Sequence, residues 1–485
     1  MKKLLALAFI ALLIAVLVGC RADVAVVDDL PTADPPPLAG YDTQGDDVAA
    51  GDDHVPWHDV VDEPPEIQSS LPLDLAAMYF SMMEAILDED DGALWGVNLN
   101  GPFMFVDQLT RDAAANRPDR RGVFTRQGDI YVGTLHPQQF IGVTATRFSF
   151  EMWGMMIWDY VEWCDDDDMV VRGMIHELFH AWQNELFGGF PVVSGNVFEE
   201  DLETNIHIRL ELNALLRALS GSTEEERRQA TFDALSIREE RRQWGLGMTG
   251  NDIATTIHEG SAQYTDLMLG FGDMAARLSI IEDFIDRQTR YGIRHSSKYL
   301  FGAMYGFLLD EIGASWREGL CYFTDLGLLL QDAMGITELK PFEEIDLELY
   351  GLSEATAIAA AWHEDLDGMI RSTRAAFLAQ PTLSMGSEVE LMGGYSGEFD
   401  FITVPGLGEE FRFVMYGNIV LTSAFGQLTV HDGPMLQIGS KIPVPGIVIE
   451  EGRAFGHNWE LELNEGFGIS EITGGNFRVV RLPDA

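Results

Sequence analysis

The spacing of apolar residues changes near Met385, and this change constrains the fold more than any other feature. Upstream, apolar residues recur at helical spacing, which predicts helices at 75–87, 169–187, 200–219, 224–243, 250–270, 274–290, 297–312 and 354–379. Downstream, short runs alternate apolar and polar residues between Gly, Pro and Asn, which predicts strands. The prediction is an α+β chain: a mainly helical domain with a small sheet at 71–380, then an all-β, sandwich-like domain at 385–485.

The N-terminal segment predicts export. Two lysines open an apolar run that ends in Leu17-Val18-Gly19-Cys20 and is too short for a comfortable membrane span. Its end resembles the bacterial lipobox, which implies a lipoprotein signal peptide at 1–20 and a lipid on Cys20. An ordinary signal peptide and an uncleaved anchor are the alternatives. Residues 21–70 are acidic and rich in Pro, which predicts a disordered tether.

The charge balance excludes one class of partner. Lys and Arg total 31 against 78 Asp and Glu, a formal net charge of -47. Such a surface repels phosphate, so no nucleic-acid partner is expected. Besides Cys20 the chain has Cys164 and Cys321, which either pair in a disulfide or remain two thiols.

A short motif within the predicted helix 169–187 predicts a metal site. His176 and His180 are four residues apart, so both imidazoles lie on one helix face and can reach one ion. Glu177 projects beside that ion, where it can accept a proton from water. Apolar neighbours indicate a buried site, which suits Zn²⁺ with an open position for water. The motif therefore predicts metal-assisted hydrolysis.

The third ligand has two candidate sources. Gln183 and Leu186 occupy the positions where metzincins have Gly and His, so a glutamate ligand is expected. Glu259, in the predicted helix 250–270, is preferred, and the alternatives are Glu199, Glu200 and Glu203. Near Glu259, His258 is assigned a supporting or surface role, and Asp266 either orients a zinc-bound histidine or is solvated.

Three segments resemble the gluzincins, including the aminopeptidase-N-like and glycyl-aminopeptidase-like enzymes. They are His-Glu-Leu-Phe-His-Ala-Trp at 176–182, Glu-Gly-x-Ala-x-Tyr at 259–264 and Tyr-Leu-Phe-Gly at 299–302. The resemblance implies a zincin-like catalytic domain, zinc held by His176, His180 and Glu259, and Tyr299 as the oxyanion donor. Phe301 replaces the lysine that is usual in the third segment, and the aminopeptidase signature Gly-x-Met-Glu-Asn is absent. Endopeptidase action is therefore expected.

Three further segments have more than one interpretation. Gly154–Trp158 is either an edge strand that pairs with an extended peptide or a buried core strand. Asp165–Asp168 is expected to cap the next helix, and a calcium site is the alternative. His207, Arg209 and Glu211 are expected on a polar helix face, and a supporting role beside the metal site is the alternative.

The expected protein is thus a zinc metallopeptidase of the bacterial cell envelope, lipid-anchored on the periplasmic or extracellular side. Its partners would be a peptide or protein substrate and, through the anchor, the membrane. Two alternatives remain: an inactive zincin-fold binding lipoprotein, and a metal-dependent hydrolase of a non-peptide bond. The oligomeric state is left open.

Overall fold

A computed structural model describes residues 71–482. The ranges outside the description are 108–109, 137–138, 140, 165, 190–200, 288–292, 380–381, 386–399, 404–410, 416–418, 424, 432–434, 439–441, 451–452, 457 and 473–474. Cys20, the segments 1–20 and 21–70, Glu199 and Glu200 also lie outside it.

The described chain is mixed α and β, as predicted in outline. Its helices are α1 Leu73–Asp90, α2 Trp158–Trp163, α3 Asp167–Phe187, α4 Leu202–Ser220, α5 Glu224–Trp244, α6 Gly250–Gly270, α7 Met274–Arg287, α8 Ile293–Glu311, α9 Leu326–Ala333 and α10 Leu352–Ala379. Short 3-10 turns lie at Phe342–Glu344 and Leu347–Tyr350. Each predicted helix is present with ends shifted by a few residues, whereas α2 and α9 were not predicted.

A six-stranded sheet precedes most of the helices. Its strands are β1 Phe103–Val106, β2 Asp112–Ala115, β3 Thr125–Gln127, β4 Ile130–Thr134, β5 Thr144–Phe148 and β6 Glu151–Ile157, in the spatial order β3-β4-β2-β1-β6-β5. β1 and β6 pair in parallel, and the other neighbours are antiparallel. β5 is thus an edge strand of this sheet.

Both faces of the central strands are buried. Phe103 and Phe105 join the main core among the helices, whereas Met104 and Val106 join a second apolar cluster on the opposite face. Side chains alternate between faces along a strand, so a continuous apolar run marks a strand covered on both sides.

The edge-strand interpretation of Gly154–Trp158 is therefore wrong. Gly154 lies in β6, which is hydrogen-bonded to β1 on one side and to β5 on the other, and Trp158 begins α2. Gly154 also lies against helix α3, where an added Cβ would stand 2.4 Å from the ring of Phe103 and 3.4 Å from Cα of Leu178. The segment is a core strand that supports α3.

The C-terminal strands form three smaller sheets. The strands are β7 Thr382–Met385, β8 Asp400–Thr403, β9 Phe411–Met415, β10 Ile419–Ser423, β11 Gly426–Val430, β12 Met435–Ile438, β13 Ile442–Pro445, β14 Val448–Glu450, β15 Arg453–Phe455, β16 Trp459–Leu463, β17 Phe467–Glu471 and β18 Phe477–Arg481. Their orders are β10-β11-β16-β15-β14, β12-β9-β8 and β13-β7-β18-β17. Strands of the first and third sheets share one apolar cluster, which includes Leu428, Leu461, Leu383 and Val479.

Helix α3 begins as its acidic residues predict. Asp166 is the N-cap and accepts a hydrogen bond from the backbone N–H of Met169 at 2.7 Å. Asp167 accepts another from the hydroxyl of Tyr79 on α1 at 2.8 Å. The capping interpretation of this segment is confirmed, with Asp165 outside the described residues. The cap begins the helix that carries His176 and His180.

Two other expectations are resolved. Cys164 and Cys321 are not joined in a disulfide.

Glu211 is not on a polar face: it is fully buried and accepts hydrogen bonds from Arg238, Arg241 and Tyr305. Arg209 is buried too, so the expectation is wrong for Arg209 and Glu211, whereas His207 is half-buried. The cost of burying a carboxylate is offset here by paired donors from α5 and α8.

Within the described residues, no helix combines the length and the apolar character that crossing a membrane would require. The described residues belong to one compact unit. The division of this unit near 380–385 into two domains stays a prediction.

Candidate metal centre

The structure brings His176, His180 and Glu259 together. Nε2 of His176 lies 3.6 Å from Oε2 of Glu259, and Nε2 of His180 lies 3.4 Å from the same oxygen. One ligand atom from each residue lies within 4.8 Å of the others. Of the described residues, only these three form a group of this kind.

Two of these distances fit a tetrahedral ion. Zinc binds imidazole nitrogen and carboxylate oxygen at about 2.0–2.2 Å, so two ligands on a tetrahedron are about 3.3–3.6 Å apart. The two N–O separations of 3.6 and 3.4 Å are close to this range. Two imidazoles and one carboxylate are also the ligand types that catalytic zinc sites use.

Each histidine is held through its other ring nitrogen. Nδ1–H of His176 donates to Oδ2 of Asp266 at 3.1 Å, and Nδ1–H of His180 donates to Oε1 of Gln183 at 2.9 Å. Both bonds leave Nε2 facing Glu259. Asp266 is buried and lies 3.5 Å from Arg172, so it is not the solvated aspartate of the alternative interpretation. Such partners fix the tautomer and orientation of a metal-ligating histidine.

The close approach of α6 to α8 places Tyr299 near the site. An added Cβ on Gly260 would stand 2.5 Å from Cα of Gly302, so the two backbones touch. Tyr299, one turn before Gly302 on α8, stacks on His176 with ring centroids 5.7 Å apart and planes at 18°. Its side chain is half-buried.

A buried ion pair also joins these two helices. Lys298 lies 3.0 Å from Asp252 on α6, and Arg294 lies 3.2 Å from the same carboxylate. Asp252 also forms a capping box with Thr249, which begins α6. The charges of Lys298 and Arg294 hold the pKa of Asp252 well below its ordinary value, although burial alone would raise it. This pair secures the start of the helix that supplies Glu259.

The electrostatics of the site favour a cation between the carboxylates. Burial lowers the pKa of His176, but hydrogen bonds to Asp266 and Glu259 and the charge of Glu177 outweigh it and raise the pKa to about 10. Burial raises the pKa of Glu177, and burial likewise raises that of Asp266. Bonds from both histidines hold the pKa of Glu259 well below its ordinary value despite burial. Two buried acids, Glu177 and Asp266, and the half-buried Glu259 thus lie around the two histidines.

Of the alternative third ligands, only Glu203 lies within the described residues. Glu203 is exposed on α4 and does not belong to the metal-ligating group. Glu199 and Glu200 lie outside the described residues.

Some residues around the site were not predicted from the sequence. Gln183 is three positions after His180, so helical spacing alone would have placed it beside that ring. It also donates to the backbone carbonyl of His258 at 2.6 Å. Tyr322 is buried, with its ring centroid 6.1 Å from that of His258; it lies in the loop between α8 and α9 and carries no local signal in the sequence.

Comparison with protein-family models, with curated proteins and with solved structures finds no match. What the structure defines is a group of two histidines and one carboxylate, on two helices, that could hold a metal ion. The gluzincin relationship stays a prediction from the three motifs.

Proposed function

We propose that the protein is a zinc-dependent metallopeptidase of the gluzincin type, acting as an endopeptidase outside the cytoplasm. The observation that carries this proposal is the convergence of His176, His180 and Glu259, with N–O separations of 3.6 and 3.4 Å. These residues would hold the zinc. Bound zinc supplies a Lewis acid that lowers the pKa of water to about 7.

Glu177 is the general base. It is buried and close enough to both histidines and to Glu259 for their charges to shift its pKa. Its carboxylate takes a proton from water as the water oxygen bonds to the peptide carbonyl carbon. It then delivers the proton to the amide nitrogen as the C–N bond breaks. A carboxyl group with a raised pKa suits both steps.

Tyr299 is the electrophilic partner in this proposal. Its ring lies along His176, and a phenol hydroxyl there can donate a hydrogen bond to the carbonyl oxygen as negative charge develops. A substrate strand has a place to bind, because β5 is at the edge of the six-stranded sheet and α3 packs against β5 and β6. An extended peptide would pair with that edge.

The remaining assignments belong to the same proposal. The catalytic body at 71–380 is zincin-like, and the strands at 385–485 form a sandwich-like domain, supported by the apolar cluster that two of their sheets share. Cys20 carries the lipid, and residues 21–70 tether the body to the membrane of a bacterial cell envelope.

The test is zinc-dependent cleavage by the full-length chain in detergent. Unlabelled proteins and a peptide library would be incubated with the zinc-loaded chain, and mass spectrometry would locate the cut bonds. Internal cleavage that a chelator abolishes and zinc restores is expected. The matched control is Glu177→Gln, which keeps the three ligands and is expected to lose at least about 100-fold in rate.

Other outcomes separate the alternatives. Zinc bound with no turnover of any substrate would contradict peptidase action and favour a binding lipoprotein. Turnover of esters or small amides without peptide cleavage would favour a hydrolase of a non-peptide bond. Release of single N-terminal residues would overturn the endopeptidase assignment alone.

A further inference from the structure

The two oxygens of Glu259 have different neighbours. Oε2 faces Nε2 of His176 and Nε2 of His180 at 3.6 and 3.4 Å. Oε1 instead lies 3.9 Å from Nε2 of His258, the preceding residue on α6. One oxygen is therefore presented to the histidine pair and the other to a third imidazole.

The ring of His258 is held in this position by its neighbours. Its centroid lies 4.3 Å from that of His180, with planes at 31°, and Tyr322 packs on it from a loop at 6.1 Å. Its backbone carbonyl accepts a hydrogen bond from Nε2 of Gln183, whose Oε1 holds His180. The same amide thus couples one zinc-facing histidine to the backbone that carries His258.

From this geometry we propose that His258 is a positioning residue. Its Nε2 lies 3.9 Å from Oε1 of Glu259, beyond hydrogen-bond length, and rotation of the carboxylate as Oε2 binds the metal brings Oε1 onto the Nε2–H, so that only Oε2 is a ligand. The inference rests on the function proposed above. A carboxylate that binds through both oxygens occupies two coordination positions, whereas catalysis needs one position for water. A donor on Oε1 keeps the carboxylate monodentate. His258 itself is outside the group whose ligand atoms converge, so it acts through Glu259.

The test compares metal binding by the full-length chain and its variants. His258→Phe keeps a ring between His180 and Tyr322 but removes the donor, and His258→Gln restores an N–H near the position of Nε2. Zinc affinity would be measured by competition with a chelator at fixed pH. Loss of an outer partner of a metal ligand weakens metal binding by about 10–100-fold. This loss is expected for His258→Phe, and His258→Gln is expected to recover most of it.

Two readouts separate positioning from a structural role. Cobalt-loaded His258→Phe should show weaker visible absorption than the cobalt-loaded parent, because a bidentate carboxylate raises the coordination number. The metal-free variants should melt within a few degrees of the parent. His207→Phe is the control, since His207 stacks on Phe342 and does not belong to the metal-ligating group, so it should change neither affinity nor spectrum. If His258→Phe does not fold, His258→Leu provides the same comparison.

The possible failures are distinguishable. Equal zinc affinity and unchanged cobalt spectra in folded His258→Phe would overturn the role of His258 and leave the proposed function standing. Weakened binding that His258→Gln does not recover would assign the effect to ring packing and overturn the donor role. Absence of zinc binding by the parent would overturn both the proposed function and this inference.

Discussion

Replacing Gly302 by alanine should damage both the fold and the metal site, because Gly302 lies where α8 crosses α6. A Cβ at Gly302 would stand 2.3 Å from Cα and 2.5 Å from the carbonyl carbon of Gly260. Carbon atoms at optimal contact are about 3.5–4.0 Å apart, so the helices must separate by about 1.2–1.7 Å. Both obstructing atoms are backbone, so no side-chain rotation can relieve the clash.

The loss of stability can be estimated by comparing Gly302→Ala with a matched control substitution. Gly250→Ala lies on α6, and its added Cβ would meet no atom within 4 Å. Gly302→Ala gains helix propensity, up to about 1 kcal/mol, because it lies inside α8, whereas Gly250 is the first residue of α6 and gains less. Overpacking costs about 1–3 kcal/mol, so Gly302→Ala should be less stable than Gly250→Ala by up to about 3 kcal/mol, and the propensity gain offsets part of the cost.

Zinc affinity should fall with the same substitution. Glu259 is adjacent to Gly260, and a displacement above 1 Å is large compared with the roughly 0.2 Å tolerance of a metal–ligand bond. We expect a loss of at least about 10-fold for Gly302→Ala and none for Gly250→Ala. The assays are urea unfolding of the metal-free chains and chelator competition. Equal stability and equal zinc affinity of the two variants would refute the helix-crossing argument.

Three further substitutions test other parts of the structure. Asp252→Asn leaves Lys298 buried without its partner and should lower the unfolding free energy by about 3–5 kcal/mol at neutral pH, as measured in urea. Because the folded-state pKa of Asp252 is lowered, its contribution is complete above pH about 4 and shrinks as acid protonates it. The difference in unfolding free energy between the parent and Asp252→Asn should therefore become smaller below pH 4. A difference that does not change with pH would contradict the ion pair. Asp166→Ala removes an N-cap and should cost about 1 kcal/mol in the same assay; no change would contradict the cap. Asp266→Asn should weaken zinc binding by about 10–100-fold, with unchanged affinity counting against its role on His176.

The local parts of the site could be predicted because helical spacing determines them. His176, Glu177 and His180 are close in the chain, and a four-residue separation brings the imidazoles to one face whatever the rest of the fold does. Glu259 lies on another helix, so its position depended on the resemblance of the segment 259–264. The structure brings these residues to the same place.

The predictions that were wrong concern residues whose positions depend on packing between distant segments. The apolar stretch at Gly154 suits an edge strand or a core strand equally, and pairing with β1 and β5 decides between them. Glu211 resembles a surface acid in sequence, because its partners come from other helices. Tyr322 was not predicted for the same reason, because its neighbour His258 lies on a distant helix.

The helices were predicted more completely than the strands. Capping residues such as Thr249 and Asp166 mark helix starts in the sequence itself. The short strands β1 and β2 have no capping residues at their ends. Their apolar runs are also too short to distinguish a strand from a helix or a loop.

The most direct test of the central claim is the zinc content of the purified full-length chain beside Glu259→Gln and Glu203→Gln. The account predicts about one zinc per chain in the parent and in Glu203→Gln, with zinc lost or much weakened in Glu259→Gln. Zinc retained in Glu259→Gln and lost in Glu203→Gln would move the third ligand to the start of α4. A parent that takes up no zinc after incubation with the metal would contradict the account as a whole.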